Sequence, residues 1–149
     1  DSRLYYFQGN RAAARTLDHS VPQMLVAAGE IKEKDIRGHE DRNRLLRVMG
    51  TPWDKPKYEL SKPVSWDQGK GTAFLLCSDG FWELVEDKEM EDCLKKAETP
   101  RQWLETMEQI VLKNGKGKHM DNYTAIAVFL EEKRMEKCGS FFKKIFGKK

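Results

Sequence analysis

Hydrophobic and polar positions along the chain fall into two rhythms. Short apolar, β-rich runs stand at 4–7, 73–77 and 123–130, each of strand length. Gly9-Asn10 is a hairpin-type turn after the first of them, and 11–16 predicts the return strand. Residues 58–64 and 71–77 predict two strands around a loop with Asp67, Gly69 and Gly71, and Pro63 marks the first as an edge or bulged strand. The other rhythm is helical. Ser20 can cap a helix that carries Pro22 in its first turn, is filled by Met24, Leu25, Ala27 and Ala28, and stops at Gly29. A charged helical turn is expected over 31–37. Asp87 can cap a helix over 88–97, and Thr99-Pro100 opens another that runs to about Asn114. In that last helix Trp103, Met107, Ile110 and Val111 form one apolar stripe, which reads as core rather than as a cofactor site. Trp53 and Trp66 read as packing anchors. A strand that opens at the first residue with no lead-in suggests the C-terminal part of a larger domain.

Composition narrows the classes. A length of 149 residues suits one domain, and 27 Lys and Arg against 24 Asp and Glu leave a net charge of +3, too small to argue for a nucleic-acid partner. The three cysteines, Cys77, Cys93 and Cys138, show no close pairing, which fits a reducing compartment. Cys77 reads as strand filler and Cys93 as helix filler. No signal peptide or membrane-length apolar run is visible, so the cytoplasm is the expected location. From residue 131 the composition shifts. Residues 131–149 form a basic amphipathic tail in which Phe141, Phe142, Ile145 and Phe146 can share a face ringed by Lys143, Lys144, Lys148 and Lys149. Such a tail suits a peripheral membrane surface, or it docks on its own domain or stays loose; both readings stand.

The chemistry concentrates at two places. Cys77-Ser-Asp-Gly-Phe-Trp-Glu83 sets Asp79 between an apolar strand and a glycine, and Asp121-Asn122 precedes the final β-rich run. An Asp-Gly pair closing a strand is by itself a common turn. Two such sites are more informative. If the two strands are antiparallel neighbours, one Asp at the end of a strand and one at the start of the next arrive at the same sheet edge. Paired hard oxygen ligands there suit Mg²⁺ or Mn²⁺. His19, His39 and His119 have no metal-ligand spacing and read as structural or surface residues. No nucleophile elbow, phosphate-binding glycine loop or Cys-x-x-Cys is present.

These residues also resemble a known family. Cys77-Ser-Asp-Gly-Phe-Trp-Glu83 and Asp121-Asn-Tyr-Thr124 are similar to the last two metal-binding motifs of the metal-dependent protein serine/threonine phosphatases, the type 2C or PPM family. Asp1-Ser-Arg-Leu4 is similar to the family's Gly-Asp-Ser-Arg strand without its glycine. Thr16-Leu-Asp-His-Ser20, Ala28-Gly-Glu-Ile31 and the stretch from His39 to Gly50 resemble its middle segment. The resemblance implies an α+β fold, the α-β-β-α layered sandwich of antiparallel sheets, of which 1–130 would be the C-terminal part. It implies hydrolysis of phosphoserine or phosphothreonine in proteins, opposed by a Ser/Thr kinase, at two divalent ions, Mn²⁺ or Mg²⁺. Asp79 and Asp121 would be metal ligands. Gly80 would allow close backbone approach, and Asn122 would brace the Asp121 turn. Asp1 and Glu83 fall where the family binds a weaker third ion, although Asp is often found at the Glu83 position.

Arg42, Arg44 and Arg47 lie on the most basic internal stretch. They read either as a solvated face or, as the resemblance favours, as a rim for substrate phosphate. The family's Arg…Glu-Asp and Asp-Gly-x-Gly-Gly segments are not in these residues, so little phosphatase activity is expected of the 149 residues alone. The alternative is a non-catalytic module of the same fold that binds phosphoproteins or another partner without turnover.

Overall fold

The computed structural model describes residues 1–50, 52, 58 and 71–130. Apart from Tyr58 itself, the strand expected over 58–64 lies outside the described residues, as do the loop with Asp67 and Gly69, Trp53, Trp66, Cys138 and the tail.

Four antiparallel strands form one sheet in the order β2-β1-β3-β4, with β1 Arg3–Gln8, β2 Arg11–Arg15, β3 Thr72–Cys77 and β4 Ala125–Leu130. The hairpin between β1 and β2 turns at Gly9 and Asn10, both at positive φ (57° and 65°), as a two-residue connection of right-handed strands demands. Register pairs Cys77 with Arg3 on one side and with Ala125 on the other. The end of β3 therefore meets the start of β1 and the start of β4 at one edge of the sheet.

Helices cover one face. Helix α1 (Val21–Ala28) starts at Ser20, whose Oγ accepts from the Gln23 amide, and ends at Gly29 with φ 78°. A 3₁₀ segment, Glu33–Gly38, follows. A single helical turn, α2 (Asp79–Trp82), leaves β3, and α3 (Asp87–Leu94) and α4 (Pro100–Gly115) follow. The start of α3 differs from expectation. Glu86 occupies the cap position, and the Glu89 carboxylate accepts from the Glu86 amide at 2.8 Å. Asp87 is instead drawn to Arg37, 2.6 Å away, because a guanidinium is a stronger partner than one backbone amide.

The core lies between the sheet and α3–α4. Tyr5, Phe7, Leu75 and Cys77 point into it and meet Met90, Trp103, Met107 and Val111, all buried. Trp103 packs edge-on against Phe7 at 5.1 Å, and its indole N–H donates to the Met90 carbonyl at 3.0 Å, which removes the cost of burying that polar group. Successive strand residues face opposite ways. Leu4, Leu76 and Ile126 thus align in one row on the other face and are 40, 45 and 56% exposed. An apolar row on each face is the pattern of a sheet packed on both sides. The described residues supply one sheet and its helical layer, one half of the layered sandwich that the resemblance implies.

Candidate metal and phosphate site

Asp79 stands at the first position of α2, where β3 hands over to a helical turn. Its Oδ1 accepts from the Gly80 amide at 2.8 Å. Asp121 behaves alike: its Oδ1 accepts from the Asn122 amide at 2.7 Å. In each motif one carboxylate oxygen accepts from the next residue's N–H, which fixes the orientation of the carboxylate.

The two motifs are stitched together. The Ser78 amide donates to the Thr124 carbonyl at 3.0 Å, and the Thr124 amide donates back to Ser78 Oγ at 3.1 Å. Gly80 lies so close to the second motif that a Cβ there would sit 2.4 Å from the Asn122 carbonyl oxygen and 3.2 Å from the Asp121 carbonyl carbon. Only glycine permits this approach, and its φ is not in the left-handed region; the requirement is space. Asp1 comes to the same edge. Its carbonyl accepts from the Trp82 indole N–H at 2.8 Å, and the Arg3–Cys77 register runs on toward Asp79.

Glu83 follows one turn after Asp79, its side chain about four-fifths buried and paired with Arg42 at 3.3 Å. Burial pushes its carboxyl above the ordinary range, the Arg42 guanidinium pulls it back, and the charges of Asp79 and Asp121 add to the upward push. That both aspartates act on Glu83 puts the three acids in one electrostatic neighbourhood. Together Arg42, Glu83, Gly80, Asp121, Lys118 and His119 line most of a cavity of about 420 Å³. Among the described residues no three His, Cys, Asp or Glu side chains converge as a complete metal-binding set.

Of the three arginines expected at a phosphate rim, only Arg42 lines this cavity. Arg44 is 3.9 Å from Asp41 and largely exposed, and Arg47 is exposed. Sequence reasoning missed three features. Lys118 and His119 reach the cavity from the loop after α4, a position that only tertiary structure reveals. The third is the buried pair of Arg3 and Asp18, joined through Nε at 2.9 Å and Nη2 at 2.6 Å, with the guanidinium stacked 3.3 Å above the Trp82 ring. Arg37 lies over the same ring at 5.4 Å. The signal was present in Asp1-Ser-Arg and Leu17-Asp-His, since an Arg inside a strand otherwise apolar on that face needs a partner. This pair fixes Trp82, and Trp82 holds Asp1.

Comparison with known proteins decides the ancestry. The chain is 36% identical over 128 residues to the serine/threonine phosphatase Stp of Listeria welshimeri, an alignment covering 86% of this chain and 48% of Stp. It superposes on the serine/threonine phosphatase PstP/Ppp of Mycobacterium tuberculosis with a TM-score of 0.69 and 25% identity, covering 89% of this chain and 52% of that one. It is a homologue of the PPM-type serine/threonine phosphatases. A PstP catalytic domain solved with two manganese ions shares the fold at a TM-score of 0.61 and 21% identity, over 88% of this chain and 51% of that one. This PPM homologue spans about half the length of the relatives it matches. No protein-family model matches it. Among its described residues no helix is long and apolar enough to cross a membrane.

Proposed function

We propose that the chain is part of a metal-dependent serine/threonine protein phosphatase in which Asp79 and Asp121 ligate the two-metal centre, with Glu83 and Asp1 at a weaker third ion. The observation that carries this reading is the contact at Gly80, where the backbones of the two acidic motifs touch, in a chain 36% identical to Stp. The donor set fits hard divalent ions: carboxylate oxygens on stiff strand ends, beside a glycine whose Cβ would obstruct the junction. Mn²⁺ or Mg²⁺ is the expected ion, in keeping with the manganese in the PstP neighbour. When bound, such ions supply a water of lowered pKa and neutralise phosphoryl oxygens.

The chain's own residues do the positioning. The Gly80 and Asn122 amides orient the two aspartates, Ser78 and Thr124 lock their strands together, and Trp82 holds Asp1 at the edge. The substrate class is phosphoserine or phosphothreonine in proteins, with a Ser/Thr kinase as the opposing activity. Of the three arginines of the basic stretch, Arg42 lines the cavity and is offered to substrate phosphate, with Arg44 and Arg47 outside the lining. Buried free Cys77 and Cys93 suit a cytoplasmic setting.

The test measures Mn²⁺-dependent phosphate release from a phosphothreonine peptide, by the 149 residues alone and by the chain joined to a segment bearing the Arg…Glu-Asp and Asp-Gly-x-Gly-Gly motifs. Little release is expected from the first and robust release from the second. Asp79→Asn or Asp121→Asn should lower kcat/KM at least about 100-fold, since even the outer partners of metal ligands cost 10- to 100-fold. Full activity in both variants would overturn the site. Phosphopeptide binding without turnover by the joined protein would favour the non-catalytic module.

A further inference from the structure

We infer that Arg42 is a built-in counter-ion that occupies the Glu83 carboxylate in competition with a divalent cation, so that ion binding at Glu83 and the Arg42–Glu83 pair exclude each other. The inference rests on the metal reading of Asp79 and Asp121 and concerns what Arg42 does toward that centre.

The pair is placed for this role. Glu83 lines the same cavity as Asp121, and its amide donates to the Asp79 carbonyl at 2.9 Å one turn away; acids gathered at one sheet edge repel one another unless a cation intervenes. Among the described residues Arg42 is the cation that touches Glu83, through Nε to Oε2 at 3.3 Å. Other cations around the cavity are differently engaged. Arg37 is held by Asp87 at 2.6 Å and Glu86 at 3.4 Å, and Lys118 is exposed. The contact is a single one at ordinary length and not a bidentate fork, and the Arg42 side chain is 41% exposed. It is a pair that can open, because a partly exposed ion pair is weak. By contrast Arg3–Asp18 is bidentate and 3% and 2% exposed at its side chains, the geometry of a permanent pair. Arg42 also sits in a loop between the 3₁₀ segment and the isolated bridge at Leu45, outside regular strands and helices, so its side chain can leave without disturbing the core. A divalent ion at Glu83 would repel Arg42 and leave its guanidinium facing the cavity, where a phosphate would arrive. Ion binding and exposure of an anion-binding group would then be coupled.

The experiment titrates Mn²⁺ into the chain joined to the segment bearing the Arg…Glu-Asp and Asp-Gly-x-Gly-Gly motifs, at low ionic strength, following the free-ion signal by electron paramagnetic resonance, with no activity readout required. Removing one positive charge beside the ion should make Arg42→Gln bind about fivefold tighter than wild type, while Arg42→Lys stays near wild type. In the Glu83→Gln background the gain from Arg42→Gln should vanish, because the competitor and its target act as one unit. Arg101→Gln, which removes an equally charged but 87% exposed side chain on α4, should leave affinity unchanged. Equal affinity in wild type and Arg42→Gln, or the same gain with and without Glu83, would overturn the inference. If Asp79→Asn abolishes binding while Arg42→Gln matches wild type, the metal reading survives and only the competition fails. If neither wild type nor Arg42→Gln binds Mn²⁺, both fail.

Discussion

Replacing Gly80 with alanine tests the junction on which the site depends. The added Cβ would lie 2.4 Å from the Asn122 carbonyl oxygen, and real Cβ contacts do not fall below 3.0 Å, so the two motifs must part by about 0.6 Å. The obstructing atoms are backbone on a segment tied to Ser78 by hydrogen bonds, so no flexible side-chain end can yield. Overpacking of this kind costs about 1–3 kcal/mol. Alanine in the helical turn α2 returns up to about 1 kcal/mol over glycine. The net expectation is a loss of about 1–2 kcal/mol, or roughly 0.5–1 M in urea midpoint for a typical slope near 2 kcal/mol per M. The assay is urea unfolding followed by tryptophan fluorescence, alongside Mn²⁺ affinity. Gly38→Ala is the control, since nothing lies within 4 Å of a Cβ there, and it should stay within about 0.5 kcal/mol of wild type. Gly80→Ala should also bind Mn²⁺ more weakly, because separating the motifs separates the carboxylates. A Gly80→Ala protein matching Gly38→Ala in both midpoint and affinity would refute the reasoning.

Three further outcomes are expected. Asp18→Ala leaves the buried Arg3 guanidinium without its carboxylate and should cost about 3–5 kcal/mol by the same urea assay, toward the lower end because Tyr5 and Trp82 still contact it. Burial pushes the Cys77 thiol from 9.0 up to about 12. The folded state thus holds this proton more tightly than the unfolded state, and the contribution is complete below pH 9.0 and lost as pH rises toward about 12, at no more than about 1.4 kcal/mol per pH unit. Iodoacetamide at pH 8 should therefore leave Cys77 unmodified in the native protein and alkylate it in urea, as peptide mass spectrometry would show; rapid native labelling would contradict its burial. Trp103→Ala should cost about 3–5 kcal/mol, whereas Leu112→Ala on the same helix, at a side chain 46% exposed, should change stability by less than about 1 kcal/mol; similar costs for both would show that the stripe is not the core.

Much of the fold was legible locally. Gly9-Asn10, Ser20 with Pro22, and Thr99-Pro100 each carry their own backbone instruction, and each turn or helix starts where the residues say. The stripe of Trp103, Met107 and Val111 was readable because helical periodicity puts those positions on one face. The motifs holding Asp79 and Asp121 were legible as well, since acids beside short apolar runs mark strand ends. Their meeting was legible only on the condition that β3 and β4 pair antiparallel, as they do. Residues 79 and 121 are brought together by the β3–β4 register and by space left at Gly80, which depend on long-range pairing that no local pattern specifies. The same holds for charge. Arg42, Arg44 and Arg47 look equivalent along the chain, yet among the described contacts it is Arg42 that pairs with Glu83, because a loop's path is set by what it packs against. Arg3, one basic residue among many, became the buried partner of Asp18 only when strand β1 turned it inward. By itself, then, the sequence determined the element types, the helix caps, the apolar faces and the inventory of acids, all governed by neighbours within a few positions. Tertiary structure decided which acids share an edge, which arginine pairs with Glu83 and which is locked in the core, because Coulomb and packing energies depend on distance in space.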